Sequence, residues 1–374
     1  MKTKTIVGVV GLGIILIIFL FSISSIFKTE KSDITIGAVL PLTGGVSFWG
    51  ESAQKGIQLA VQDVNEKGGI NGRHIKVIFE DSACDPKNSV SAFKKLTEFD
   101  KVTAVIGDIC SSGTLALAPL AESQQKILIT PCSEASAISE AGDFVFRTWV
   151  PNGAQGAALA RHAHQQGFRN IALLSINTDL GESIGSAVQK TFTSLGGQVA
   201  LWEKYNQDTT DFRTSLSKVK DKNVDAIFIA GHEPDSILLV KQIREMDLDV
   251  QIFADSTINT PSFFKALGAS ADGILFADLE DTTTEAFRAR WKQEFNVEWP
   301  GATSCASVAY DDISILADAL QKVGTDSSKI KNHFHAFKDF KGVSGSITFD
   351  NNGDLIRENH IYRIENGKPT LVRN

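Results

Sequence analysis

Residues 34–40 read ITIGAVL, and behind them Ala53, Ile57, Ala60, Val61 and Val64 recur at helical spacing until Gly68-Gly69. A short unbroken apolar run predicts a buried strand, the spaced stripe predicts a helix packed on it, and the paired glycines end that helix. The unit then repeats. Strand-like His74 to Glu80, Thr103 to Gly107 and Lys126 to Thr130 are separated by helical Pro86 to Phe99 and Ser112 to Gln124. Strands alternating with helices predict an α/β fold with parallel sheets.

A second series follows Pro151. Strands are expected near Asn170 to Ile176, Gln198 to Glu203, Val224 to Ala230 and Gln251 to Ala254, with helices near 153–166, 182–195, 211–220 and 235–246. Two similar halves result. The remainder carries helical patterns near 284–296 and 303–323 and short strands near Ser346 to Phe349 and Ile361 to Ile364. A chain of 374 residues with 43% hydrophobic content is long enough for two cores. Its 37 Lys plus Arg against 44 Asp plus Glu exclude a general nucleic-acid binder, which needs clustered cations for phosphate.

The N-terminus is read as a targeting element. After Lys2 and Lys4, residues 6–27 carry no charge before Lys28, Glu30 and Lys31. A cationic start and an apolar run describe a secretory signal, yet this run approaches the roughly 20 residues that span a bilayer. The reading leans to an uncleaved anchor for an exported, extracytoplasmic chain, with cleavage near Ser22 to Ser25 as the alternative. Export permits disulfides to persist.

Ligands of parallel α/β units sit at the carboxyl ends of strands, so those loops hold the candidates. Asp108-Ile-Cys-Ser-Ser-Gly113 follows a strand and opens a helix, where the hydroxyls of Ser111 and Ser112 and free N–H groups suit a carboxylate; the plain alternative is a Ser N-cap. Pro131-Cys132-Ser133-Glu134 repeats the geometry, and Glu134 is either a solvated first-turn acid or the partner of a ligand ammonium. Trp49 is either the wall of a pocket or core.

Gly181-Glu-Ser-Ile-Gly185 matches G-x-S-x-G, but several residues separate it from the strand ending at Ile176, whereas a nucleophile elbow follows its strand directly. A serine hydrolase using Ser183 with His232 or His360 is therefore the weakest reading, and the chain is expected not to be an enzyme. No dinucleotide or Walker motif follows a strand, and no C-x-x-C or H-E-x-x-H occurs, so neither cofactor nor metal is expected. Cys84 and Cys110 would suit a disulfide between two strand-end loops, although four Cys allow three complete pairings.

Four segments together, ITIGAVLPLTG (34–44), GIQLAVQDVNEKGGINGRHIKVIFEDSACDPKNSV (56–90), VIGDICSSGT (105–114) and ILITPCSEA (127–135), resemble the type I periplasmic binding proteins of branched-chain amino-acid ABC importers. Weaker echoes continue through FRT (146–148), GHEPD (231–235), SADGILF (270–276) and GSITFDNNGD (345–354). The resemblance implies two Rossmann-like lobes joined by three hinge strands and closing on a small ligand. Lobe 1 would take residues 33–150 plus 278–355, and lobe 2 residues 151–277 plus 356–374.

By the same resemblance the family disulfide maps onto Cys84 and Cys110, the aromatic wall onto Trp49, and the carboxylate-binding Ser onto Ser111. Cys132 supplies a backbone carbonyl, and Glu134 replaces a hydroxyl residue. Across the cleft, Leu180 and His232 stand for aromatic residues, and the acidic ammonium partner falls near Thr257. Losing that acid while gaining Glu134 moves the expected ammonium contact to the other lobe, with Asp255 as a second candidate. The implied ligand is an amino acid or related small amine, and the implied partner is a membrane permease. The rival reading is a membrane-anchored ectodomain that senses the same ligand.

Overall fold

The computed structural model describes residues 32–301 and 305–373. The apolar run 6–27, read above as signal or anchor, lies outside them. Among the described residues no helix is long and apolar enough to cross a membrane.

The first sheet has five parallel strands: β1 (Ile34–Leu40), β2 (Ile75–Asp81), β3 (Val105–Gly107), β4 (Leu128–Thr130) and β5 (Val145–Arg147), in the order β2-β1-β3-β4-β5. Side chains alternate across it, as strand geometry requires. Ile36, Ala38, Ile106, Ile129 and Phe146 share one core face, while Val39, Val105, Leu128 and Val145 share the other. The first face packs on α1 (Ser47–Glu66), on α10 (Ala306–Val323) and on α11 (Ser327–His335); the second packs on α2 (Pro86–Lys94) and α3 (Ser111–Gln124). Each fully buried aliphatic side chain contributes about 1.5–3 kcal/mol relative to exposure.

The second sheet has seven strands: β6 (Asn170–Ile176), β7 (Gln198–Tyr205), β8 (Ala226–Ala230), β9 (Gln251–Ala254), β10 (Leu275–Leu279), β13 (Asn359–Glu365) and β14 (Lys368–Leu371). Strands β6 to β10 run parallel, β13 is antiparallel to β10, and β14 is antiparallel to β13. Around it lie α4 (Asn152–Gln165), α5 (Asp179–Ser194), α6 (Arg213–Asp221), α7 (Glu233–Glu245) and the short α8 (Pro261–Leu267). Between β10 and β13 in sequence come α9 (Glu285–Phe295), then α10 and α11, and a small hairpin of β11 (Phe340–Gly342) with β12 (Gly345–Ile347).

The chain therefore passes between two α/β lobes three times: after β5, after β10 and before β13. Strand order reverses at β1/β3 in one lobe and at β6/β8 in the other, so each lobe offers its strand ends and helix starts to a shared cleft. Expected and observed elements differ in seven places. The helix expected over 86–99 ends at Lys94 and continues as one π-helical turn to Phe99. Strands β5, β10, β11 and β14 and helices α8 and α11 were not expected.

Candidate functional site

Loop anchoring comes before chemistry. The hydroxyls of Thr130 and Ser133 donate to the Asp108 carbonyl at 2.6 and 2.7 Å, tying the ends of β3 and β4 together. Arg147, fully buried at the end of β5, donates through Nη1 to the carbonyls of Ser133 (3.3 Å) and Ala135 (2.9 Å), on either side of Glu134. Its Nε and Nη2 hold Asp354 Oδ1 at 2.8 and 2.6 Å. Glu134 is thus presented on a clamped backbone.

The cleft encloses a cavity of about 60 Å³, counted as space open to the centre of a water-sized sphere. That is room for about four to six water-sized groups. Lobe 1 contributes Trp49, Ser111, Cys132, Glu134 and Trp149, and lobe 2 contributes Leu180, His232, Ser256 and Thr257. Val46, Ile109, Cys110 and Cys305 complete the wall. Seven of the nine side chains expected at the site therefore meet here.

Trp49 lies in the first turn of α1, and the next residue must be glycine. A Cβ on Gly50 would stand 2.0 Å from the Pro41 carbonyl oxygen. Across the cleft the Trp49 and His232 rings approach to 6.4 Å between centroids. Burial pushes the His232 pKa down to about 4, so at neutral pH it is an uncharged wall. The Ser111 hydroxyl accepts from the N–H groups of Glu134 (3.1 Å) and Ala135 (3.0 Å). With its lone pairs taken, its proton is left to donate, beside the open first turn of α3. Such an arrangement can donate to an anionic group.

Glu134 is only 7% exposed. Its Oε1 accepts from Trp149 Nε1 at 2.8 Å and from Ser256 Oγ, across the cleft, at 2.9 Å. Its Oε2 is buried and has no hydrogen-bond partner among the described residues. Burial, reinforced by the nearby Asp255 and Asp278 carboxylates, pushes its pKa up to about 8. No Lys or Arg is among the described lining residues. An ionised acid enclosed in this way lacks a counterion, and a cationic group in the cavity supplies one.

Two expected residues fall outside the cavity. Asp255 is turned back into its own loop, accepting from the N–H groups of Gly231 and Thr257 and from the Thr257 hydroxyl, so it caps rather than faces the ligand space. Ser112 is half-buried on the turn behind Ser111 and does not line the wall. Sequence reasoning in turn missed Trp149, Ser256 and Cys305. Ser256 lies within the strand-end loop Asp255 to Thr260, where its hydroxyl was a readable signal; Trp149 follows the short β5 and gave none.

Both cysteine pairs are bonded. Cys84–Cys110 joins the ends of β2 and β3, and Cys132–Cys305 ties the end of β4 to the start of α10. Ser183 sits inside α5, past its first turn, and its hydroxyl bonds to Ser136 and Asn152. No histidine is among these partners, and the elbow geometry that a hydrolase needs is absent from this described segment.

Two α/β lobes, three crossings and an enclosed cleft define a binding protein that closes around a small molecule. The chain belongs to the periplasmic binding protein family, whose model matches residues 33–369, and its fold is the type I form. It is 29% identical over 336 residues to the leucine-, isoleucine-, valine-, threonine- and alanine-binding protein of Pseudomonas aeruginosa, covering 88% of this chain and 89% of that protein. Among solved structures it is similar to the leucine-binding protein LivK of Thermotoga maritima (TM-score 0.83, 28% identity, 91% of this chain and 98% of that one). It is also similar to the branched-chain amino acid transporter substrate-binding protein LivJ of Streptococcus pneumoniae in complex with isoleucine (TM-score 0.81, 27% identity, 91% and 99%).

Proposed function

We propose that this chain is the extracytoplasmic receptor of an ABC importer and that it captures a small amino acid or a related amine. Ser111 and the first turn of α3 hold the carboxylate, and Glu134 holds the ammonium. Trp49, Trp149, Leu180 and His232 bound the remaining space, with Thr257 and the Cys132 carbonyl as further polar contacts. Lobe 1 comprises residues 33–150 plus 278–355 and lobe 2 residues 151–277 plus 356–374. The permease reads the closed shape. The names of the similar proteins, which specify leucine, isoleucine, valine, threonine and alanine, support the ligand class. The modest cavity favours its smaller members.

The observation that carries this reading is Glu134 Oε2, buried on the wall of the cavity and unpartnered among the described residues. Calorimetric titration of the exported domain with amino acids, small amines and matched neutral or anionic solutes tests it. At least one ammonium-bearing compound should bind with a stoichiometry of one. Binding confined to neutral or anionic solutes would overturn the assignment.

A further inference from the structure

The G-x-S-x-G serine has another use. Ser183 Oγ lies 2.9 Å from Ser136 N, 2.8 Å from Ser136 Oγ and 2.6 Å from Asn152 Oδ1. A hydroxyl has one proton and two lone pairs, and a side-chain amide oxygen only accepts. The Ser183 proton therefore goes to Asn152, and its two lone pairs receive the N–H and O–H of Ser136. Ser136 opens the 3-10 turn that follows Glu134 in lobe 1, whereas Ser183 belongs to α5 in lobe 2. The knot thus crosses the cleft. It is built for close approach, because a Cβ on Gly153 would stand 2.5 Å from Ser136 Oγ.

None of the three lines the cavity, yet Asn152 connects them to it. Its N–H donates to the Glu134 carbonyl at 2.8 Å and its Nδ2 to the Leu180 carbonyl at 3.4 Å. We propose that the Ser183–Ser136–Asn152 knot is a closure latch: Ser183 and Ser136 are positioning residues that stabilise the closed lobes whatever the ligand, setting the scale of affinity while the cavity sets selectivity. The latch rests on the closing-receptor reading above. Apparent affinity scales with the fraction of protein in the competent state, so loss of the latch weakens every ligand by one common factor.

The test compares the exported domain with its Ser183→Ala, Ser136→Ala and double variants by two readouts. The first is titration with two amino acids of different affinity, together with their dissociation rates. The second is the radius of gyration of the ligand-free proteins. Each single variant should weaken both ligands by the same factor, roughly three- to tenfold, through faster dissociation. The double variant should cost less than the product of the singles, and Ser183→Thr should restore much of the loss. Unchanged affinity in both single variants, or an altered ratio between the two ligands, would overturn the latch. If the parent binds no amino acid, the receptor reading fails, and a larger ligand-free radius of gyration in Ser183→Ala still upholds the latch. An unchanged radius in that case removes it.

Discussion

Glu134 concentrates the chemistry of the cleft in one side chain, because one of its oxygens is bonded on both sides of the cleft and the other has no partner among the described residues. Glu134→Gln keeps the shape and the two donors to the retained oxygen, but removes the charge. Ammonium-bearing ligands should lose at least about tenfold in affinity, consistent with the roughly 1.5–3 kcal/mol of a hydrogen bond to a charged group. A neutral analogue should change little. Titration of both variants with an amine and its neutral counterpart measures the difference, and equal losses would remove Glu134 from ammonium recognition. At this scale the sequence was half legible. Glu134 and Ser111 could be placed on the cavity wall because strand-end loops of parallel sheets face the cleft. Asp255 occupies an equivalent loop but spends its carboxylate on the N–H groups of Gly231 and Thr257. Residue type and loop position do not encode which way a side chain turns, and the neighbouring Ser256 points across the cleft instead.

Elements are held by apolar periodicity and by cross-links, and the two were unequally readable. β1 and β6 stand where the apolar runs predicted them because buried parallel strands show as near-continuous hydrophobic stretches. β5 and β11 were not read, because VFR and FKG each carry a charged residue where the equally short β3 and β4 (VIG and LIT) carry none. The Cys132–Cys305 bond was hidden for a different reason, since 173 residues separate its ends and only tertiary structure brings them together. That separation has a thermodynamic consequence. If a cross-link acts mainly by restricting the unfolded chain, closing a loop of 26 residues contributes about 3.5 kcal/mol and closing one of 173 about 5 kcal/mol. Replacing Cys84 and Cys110 by Ala should lower the melting temperature by several degrees, and replacing Cys132 and Cys305 should lower it further. Calorimetric melts of the two double variants rank them, and the reverse order would mean that local packing outweighs chain entropy. The second pair also lines the cavity, so its loss should weaken ligand binding as well as stability.

Across the whole molecule, closure couples these elements to protons. In the closed, ligand-free form burial raises the Glu134 pKa from 4.5 to about 8, while opening returns the carboxyl to water. Between those values the closed form holds a proton that the open form has released, and rising pH opens the cleft. His232 works the other way. Its pKa falls from 6.5 to about 4 on burial, so between those values the open form holds the extra proton and falling pH opens the cleft. From about pH 4.5 to 6.5 the two proton differences cancel, and from about 6.5 to 8 only Glu134 remains. Asp255 and Asp278 are also raised by burial, to about 6 and about 7, but Asp255 follows β9 and Asp278 lies in β10 of the second sheet, to which the strand-end loops of Gly231, Thr257 and Asn259 that hold them also belong, so these contacts are kept on opening. The ligand-free protein should therefore open between about pH 6.5 and 8, with a slope of up to about 1.4 kcal/mol per pH unit, and stay nearly level below that window. Small-angle scattering across the range reads the change as a growing radius of gyration. Glu134→Gln should abolish the rise above pH 6.5 and uncover the His232 limb below it, because the compensating proton is gone. A parent protein whose radius is flat from pH 6.5 to 8 would show that Glu134 is not enclosed by closure, and the counterion argument for an ammonium ligand would go with it.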